Sequence, residues 1–309
     1  MCPSIENSYA KKNVVVLGST GMLGSMIVEI LSNCNDIQLL ATTRKSISNT
    51  KNSKDINWVQ IDFESASNLQ ISKVLMGADY VINCVGLIKQ KAKSLTLNEY
   101  HRLNTLLPLL INDLSKELKF RYVQIGTDCV FSGQGSRNLE KSIPDATDNY
   151  GISKYLSESY LDNSLILRCS IIGKEVNGSS SLLSWFMSQE KNLQLNGYVN
   201  HYWNGISTLQ FANILRGIIQ QEKFFIGLHH LIPANSITKY ELLHLFRLEF
   251  KRFDLRIDKA FHPITINRIL ECSNDQRNLA LWNAGGYREI PTIQELVREL
   301  AIYGYDSIN

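Results

Sequence analysis

Apolar residues fall along the first half of the chain in short runs, separated by polar stretches of helix length. Val14–Leu17 is one such run, followed by a glycine-rich turn and an amphipathic segment to about Leu31. Ile37–Thr42 and Trp58–Ile61 read as the next two strands, Leu69–Met76 as a short helix and Asp79–Val85 as a fourth strand. Asn98–Leu118 predicts a long helix, Tyr122–Ile125 a fifth strand, Tyr150–Leu161 a helix and Leu165–Leu167 a sixth strand. Strands that alternate with helices predict a parallel sheet covered on both faces, because parallel neighbours need long crossovers.

Beyond Gly173 the pattern changes. Ser179–Gln189 and Thr208–Gln220 predict helices, and Gly227–Ile232 a short strand. Thr238-Lys-Tyr-Glu241 has the form of a capping box opening a helix to about Phe250, and Thr292-Ile-Gln-Glu295 opens the last one. The expected class is α/β: a Rossmann-type doubly wound parallel sheet over residues 13–173, then a smaller, mostly helical domain for substrate over 174–309, with some interleaving. Residues 1–12 read as a loose leader, without the apolar core of a signal peptide.

Composition narrows the class. With 309 residues and 44% hydrophobic content the chain can bury a large core. A net charge of +3 without an arginine-rich run argues against nucleic acid, and no apolar stretch has membrane-spanning length. The six cysteines are scattered, with no C-x-x-C pair, which suits reduced thiols in a cytoplasmic protein rather than zinc or a disulfide framework. His101, His229 and His230 lack partners at metal-ligand spacing and read as structural.

Chemistry enters at the strand ends. Gly18-Ser-Thr20-Gly21-Met22-Leu23-Gly24 stands between a strand and a helix, the context in which a glycine turn holds a pyrophosphate on the helix N-terminus. Gly18 permits the turn, Gly21 the close approach of backbone to phosphate, and Gly24 the packing of helix on strand. After strand two, where a carboxylate would hold the ribose of NAD, the chain has Thr42-Thr43-Arg44-Lys45. Two hydroxyls and two cations suit a 2′-phosphate, so NADPH is expected over NADH. Asp62-Phe63 is placed to border the adenine, the carboxylate as acceptor and the ring as a wall. Gly86 closes the fourth strand's end, and Lys89 just beyond it could reach a phosphate or lie solvated.

Residues 122–154 carry the candidate reaction site. Tyr150-Gly-Ile-Ser-Lys154 on a helix puts a phenol and an ammonium on one face, a turn apart. The cation favours phenolate and tunes the phenol as a general acid or base, and Thr127 at the preceding strand end can share the substrate oxygen. Trp203, before a helix, could meet a base or sugar or belong to the core.

The motifs GSTGMLG (Gly18–Gly24), IGTDCVFSG (Ile125–Gly133), PDATDNYGISK (Pro144–Lys154) and LRCSIIG (Leu167–Gly173) resemble those of the extended short-chain dehydrogenases/reductases. Within them the chain is similar to the dTDP-4-dehydrorhamnose reductase group, with a weaker echo from Trp203 to the C-terminus. The resemblance implies hydride delivery from NADPH to a keto carbon, usually C4, of a nucleotide-linked deoxysugar, in making a surface polysaccharide sugar. It makes Tyr150 the proton donor, Lys154 its partner and a ribose ligand, and Thr127 a hydrogen-bond partner of the reacting oxygen. Implied cofactor contacts are Gly18, Thr20, Gly21, Met22 and Leu23 in the turn, then Arg44, Asp62, Phe63, Cys84, Val85 and Gly86, and Asn104, which matches an asparagine near the family's active site. Implied substrate contacts are Lys89, Asp128, Cys129, Ile171 and Trp203, and a homodimer is compatible.

Two departures bear on the substrate. Cys129 replaces the glutamate of the related dehydratases, which argues against dehydration. Cys129 and Ile171 also replace aromatics of the rhamnose reductases, so another nucleotide sugar, such as a UDP-linked acetamido sugar, fits at least as well. A 4-epimerase with tightly held NAD and a non-catalytic regulatory subunit of the same fold are the alternatives.

Overall fold

The computed structural model describes residues 11–46, 56–89, 96–135, 137–176 and 178–306. Cys2 and all but the last two residues of the expected leader lie outside them; Lys12 opens the first strand.

Seven parallel strands form the main sheet in the order β11-β6-β5-β4-β1-β2-β3. They are β1 (Lys12–Leu17), β2 (Ile37–Thr43), β3 (Ile56–Gln60), β4 (Tyr80–Asn83), β5 (Arg121–Ile125), β6 (Ser164–Arg168) and β11 (Gly227–His230). Alternation along β1 sends Val14 and Val16 into one core and Val15 and Leu17 into the other, one core on each face. Helix α1 (Met22–Ser32) covers the first face and packs against α7 (Thr208–Gln220); α2 (Asn68–Leu75) and α4 (Leu107–Leu118) cover the second. The chain order reverses between β1 and β4, and ligands of such sheets lie at the carboxyl ends around that point.

The long helix expected over Asn98–Leu118 is present, with an interruption. It runs as α3 (Leu97–His101), a π turn over Arg102–Leu106, and α4. Pro108 at the start of α4 has no N–H to give, and the wider turn, with Leu107 N–H donating to the Arg102 carbonyl, accommodates it. Asn104 lies inside that turn.

The later part is less helical than the pattern predicts. Alongside α6 (Leu182–Met187), α8 (Lys239–Glu249), α9 (Asp275–Ala284) and α10 (Ile293–Asp306) it holds short strands: β8 (Gln194–Tyr198) beside β13 (Arg256–Ala260), and β9 (His201–Trp203) between β12 (Ile237–Thr238) and β14 (Ile266–Asn267). A further pair, β7 (Ile171–Ile172) and β10 (Ile206–Ser207), links this part to the end of the sheet. Strands of two to five residues with one wet face leave no apolar run to read. The strand at Gly227 joins the main sheet beside β6, and one core cluster contains both Ile27 and Phe211, so the two parts interleave closely. Both expected capping boxes form, Thr238 with Glu241 and Thr292 with Glu295. The five described cysteines are free thiols, and no helix among the described residues is long and apolar enough to cross a membrane.

Candidate active site

A cavity of about 610 Å³ opens at the carboxyl end of the sheet. One wall is the start of α1. Gly18 sits at φ +74°, and a Cβ there would press on the Cys84 backbone at 3.0 Å; a Cβ on Gly24 would stand 2.3 Å from the Gly18 carbonyl oxygen. The turn and helix can therefore meet only through glycines. No side chain caps Gly21 and no acid occupies the first turn of α1, which leaves that N-terminus open to an anion. Gly21, Met22 and Leu23 line the cavity, while Gly18 and Thr20 form the turn behind them.

The reacting end is built by β5 and α5 (Asn149–Glu158). Thr127 follows β5 and leads into a tight turn over Asp128–Val130, its hydroxyl accepting from Cys129 N–H at 3.2 Å. Asp148 caps α5 by accepting from Gly151 N–H at 3.0 Å. A Cβ on Gly151 would stand 2.3 Å from the Cys129 carbonyl oxygen, so this glycine lets the start of α5, and with it Tyr150, abut the Thr127 turn. Thr127, Tyr150 and Lys154 line the same cavity.

The electrostatics differ from the expectation. Burial raises the Tyr150 pKa, with the Asp128 and Glu158 charges adding to it, and the nearby Thr127 hydroxyl pulls it down. Lys154 donates to the Ile125 carbonyl at 2.7 Å, and no hydrogen bond joins it to the phenol. Burial lowers the Lys154 pKa against the opposing pull of Glu158. In this state Tyr150 is a protonated acid, not a phenolate.

Several other expectations are corrected. Asn104 is fully buried and clamps the loop after β4: it accepts from Leu87 N–H at 2.9 Å and donates to the Leu87 carbonyl and the Ser153 hydroxyl, both at 3.1 Å. It therefore positions the cavity wall rather than meeting a cofactor. The Thr42 and Thr43 hydroxyls are buried and used internally, Thr42 accepting from Gly18 N–H and Thr43 from Lys45 N–H, both at 3.0 Å. Only Arg44 and Lys45 remain exposed there. Phe63 packs in the core beneath the sheet, so its ring is no wall for an adenine. Lys89 lines the main cavity, ion-paired with Asp148 and 6.0 Å from the Tyr150 ring centre, so it is not a free phosphate ligand. Trp203 is 2% exposed, with its indole N–H donated to Ser170 Oγ at 2.7 Å, and it lines the main cavity from that buried position.

Cys84, Val85, Gly86, Asp128, Cys129 and Ile171 line the cavity. Burial pushes the Cys84 thiol up to about 12 and the Cys129 thiol up to about 11, so both are neutral at ordinary pH. Arg44 and Asp62 lie apart, on a second cavity of about 530 Å³ beside β3.

Two site residues carry no sequence signal of their own. Lys239, first in α8, and Arg268, just after β14, both line the main cavity. Lys239 reads as part of a capping box, and Arg268 belongs to no motif. Asn204 fixes the segment beyond Arg268 by a reciprocal pair with Leu270, 2.8 and 2.9 Å.

Comparison with known proteins matches this architecture. Residues 14–165 match the model of the NAD dependent epimerase/dehydratase family, and the resemblance to extended short-chain dehydrogenases/reductases is thereby shown over those residues, which hold the glycine turn. No curated protein matches the sequence. Among solved structures, dTDP-4-dehydrorhamnose reductase from Bacillus anthracis, in complex with NADP, superposes with a TM-score of 0.71 at 16% identity, covering 95% of this chain and 99% of that one. The reductase from Clostridium acetobutylicum gives 0.68 at 15%, with the same coverage. UDP-glucose 4-epimerase from Thermotoga maritima, with UDP-glucose, gives 0.73 at 14%, covering 96% and 100%. At these identities the likeness establishes the fold alone.

Proposed function

We propose that the protein is an NADPH-dependent reductase acting on a keto carbon, C4, of a nucleotide-linked deoxysugar. The observation that carries this reading is the convergence of an uncapped glycine-turn helix start with Thr127, Tyr150 and Lys154 on one cavity. The residues present fit a dinucleotide: Gly18 and Gly24 let the turn close tightly onto the helix, and Gly21–Leu23, at the uncapped helix start, face the cavity. Cys84–Gly86 would border the cofactor's middle, and Lys154 its nicotinamide ribose. When bound, the nicotinamide supplies the hydride.

The chain's own groups manage the oxygen. Thr127 and Tyr150 hydrogen-bond the carbonyl oxygen of the substrate, and the phenol releases its proton to that oxygen as negative charge develops. A phenol kept protonated by burial suits the reducing direction, in which the enzyme must begin as an acid. Lys154 stabilises the resulting phenolate. Neutral Cys129 in place of a carboxylic acid leaves no paired acid for dehydration. Arg44 and Lys45, exposed at the end of β2, support NADPH over NADH. The same three groups would serve a 4-epimerase, but those two cations favour a cofactor that exchanges as NADP(H).

The test is the melting temperature of the protein with NADPH against a panel of UDP- and dTDP-linked sugars. At least one should raise it further than NADPH alone. A panel with no response would contradict a sugar-nucleotide substrate.

A further inference from the structure

Tyr150, Lys154 and Glu158 recur at a spacing of four along α5, which puts them on one face of the helix, a turn apart. The first two line the cavity, and Glu158 lies behind them, buried at the last residue of the helix. Its Oε2 accepts from Arg168 Nη2 at 2.6 Å, at the end of β6. Arg168 is fully buried too, and its Nη1 donates to His230 Nε2 at 3.0 Å, at the end of β11. A buried ion pair gains little stability over apolar residues of the same volume, so stability alone does not account for one on this helix.

The other carboxylate oxygen is placed differently. Glu158 Oε1 is buried and has no hydrogen-bond partner among the described residues. It stands 3.0 Å from the position a Cβ on Gly126 would take, while the Lys154 ammonium donates to the carbonyl of Ile125, the residue before, at 2.7 Å. Carboxylate and ammonium therefore rest against the same piece of backbone at the end of β5, and Gly126, lacking a side chain, lets the carboxylate close in.

The charges around Lys154 leave it no other counter-ion. The Tyr150 phenol and the Cys84 and Cys169 thiols beside it are neutral, because burial raises the pKa of each. The other acids of the cavity wall are engaged elsewhere. Asp148 pairs with Lys89, Glu175 Oε2 accepts from Ser180 N–H at 2.7 Å, and Asp128 faces Lys239 and Arg268. Burial lowers the Lys154 pKa, and Glu158 pulls against it. An ammonium so placed is costly to keep charged without a partner.

Resting on the reading above, we propose that Glu158 is a positioning residue for the reaction: with its free oxygen it keeps the Lys154 ammonium charged at the end of β5, so that a cation is in place when Tyr150 gives up its proton. Arg168 holds the carboxylate in that position through the other oxygen.

Isotopic labelling of lysine side-chain carbons lets NMR follow the Lys154 titration in the protein without substrate, its signal identified by loss in Lys154→Met. Glu158→Gln keeps the shape of the side chain and an acceptor for Arg168. In it the Lys154 pKa should fall by about one unit or more, as when a close opposite charge is removed. The high-pH limb of kcat/KM should fall with it, since a neutral amine no longer stabilises the phenolate. Glu158→Gln/Arg168→Gln leaves no unpaired guanidinium and should show the same direction, with melting temperature reporting the folding of each variant. A purely structural role predicts the opposite sign, because loosened packing admits water and carries the Lys154 pKa up towards 10.5, the value of an exposed lysine. That rise, or an unchanged titration in folded variants, would overturn the proposal. A fall in the Lys154 pKa beside a wild type that turns over no keto sugar would remove the reductase reading while supporting Glu158 as the counter-charge.

Discussion

Lys154 Nζ donates to the main-chain oxygen of Ile125, 2.7 Å away, which ties the active-site ammonium to the carboxyl end of β5. Sequence spacing gives it another partner, the phenol of Tyr150 one turn earlier. Both readings concern one ammonium with three donors, and the cavity leaves it room to serve a ribose and a phenolate once these are present. Tyr150→Phe should therefore leave NADPH affinity unchanged and lower turnover about 10²–10⁴-fold, the range of a lost general acid. Lys154→Met should weaken both. Fluorescence titration of the cofactor beside steady-state rates separates the two effects, and wild-type turnover in Tyr150→Phe would assign the acid elsewhere.

Gly151 is a geometric requirement. A Cβ there meets the Cys129 carbonyl oxygen at 2.3 Å and Ala146 Cβ at 2.5 Å, so Gly151→Ala must push the start of α5 off the Thr127 turn. The expected cost is about 1–3 kcal/mol of stability, as for an overpacked core site. Activity should fall further than stability explains, because Tyr150 moves with the helix. Urea denaturation and kcat measured on the same preparation show whether the two losses separate.

Arg44 bears on the cofactor. With the Thr42 and Thr43 hydroxyls buried, a 2′-phosphate would find Arg44 and Lys45 as its side-chain partners at the end of β2. A charge-assisted contact of this kind contributes about 1.5–3 kcal/mol, so Arg44→Ala should weaken NADPH about ten- to a hundredfold and leave NADH unchanged. Equal affinities for both cofactors in wild type and variant would place the discrimination elsewhere, or nowhere.

His230 makes stability depend on pH. It is 1% exposed, faces Arg168 and Glu140, lies near His229, and contacts the Glu271 carbonyl through Nδ1 at 2.7 Å. Burial, with the Arg168 charge adding to it, pushes its pKa down from 6.5 to about 4. Between those values the unfolded chain binds the proton and the folded chain does not. Stability attributable to this group is thus complete above pH 6.5 and declines as the pH falls towards 4. The slope it adds is at most about 1.4 kcal/mol per pH unit, with His229 contributing in the same window. His230→Gln should flatten the melting-temperature profile over that range. An unchanged profile would show that the imidazole binds its proton as readily in the folded protein as in the unfolded chain.

Much of this molecule is legible in its sequence because buried parallel strands are written as continuous apolar runs, as Val14–Leu17 and Tyr122–Ile125 show. The glycine turn and the Tyr150–Lys154 spacing are equally local, and the structure brings both to one cavity. What escapes is decided by tertiary contact. Nothing in the order of residues says that the Thr42 hydroxyl is used by Gly18 N–H, that Asn104 clamps Leu87, or that Phe63 turns into the core. Strands such as β9 and β14 are too short to set a pattern, and Arg268 reaches Cys129 only because they pair.

The central claim is net reduction of a keto sugar. The most direct measurement mixes the protein, 4-deuterated NADPH and a panel of 4-keto sugar nucleotides, and follows both reduced-nicotinamide absorbance and the label. The account predicts one NADPH consumed per alcohol formed over many turnovers, with deuterium on the carbon that held the ketone. Product formed without net consumption would identify an epimerase, and no turnover with any keto sugar would contradict catalysis of this kind altogether.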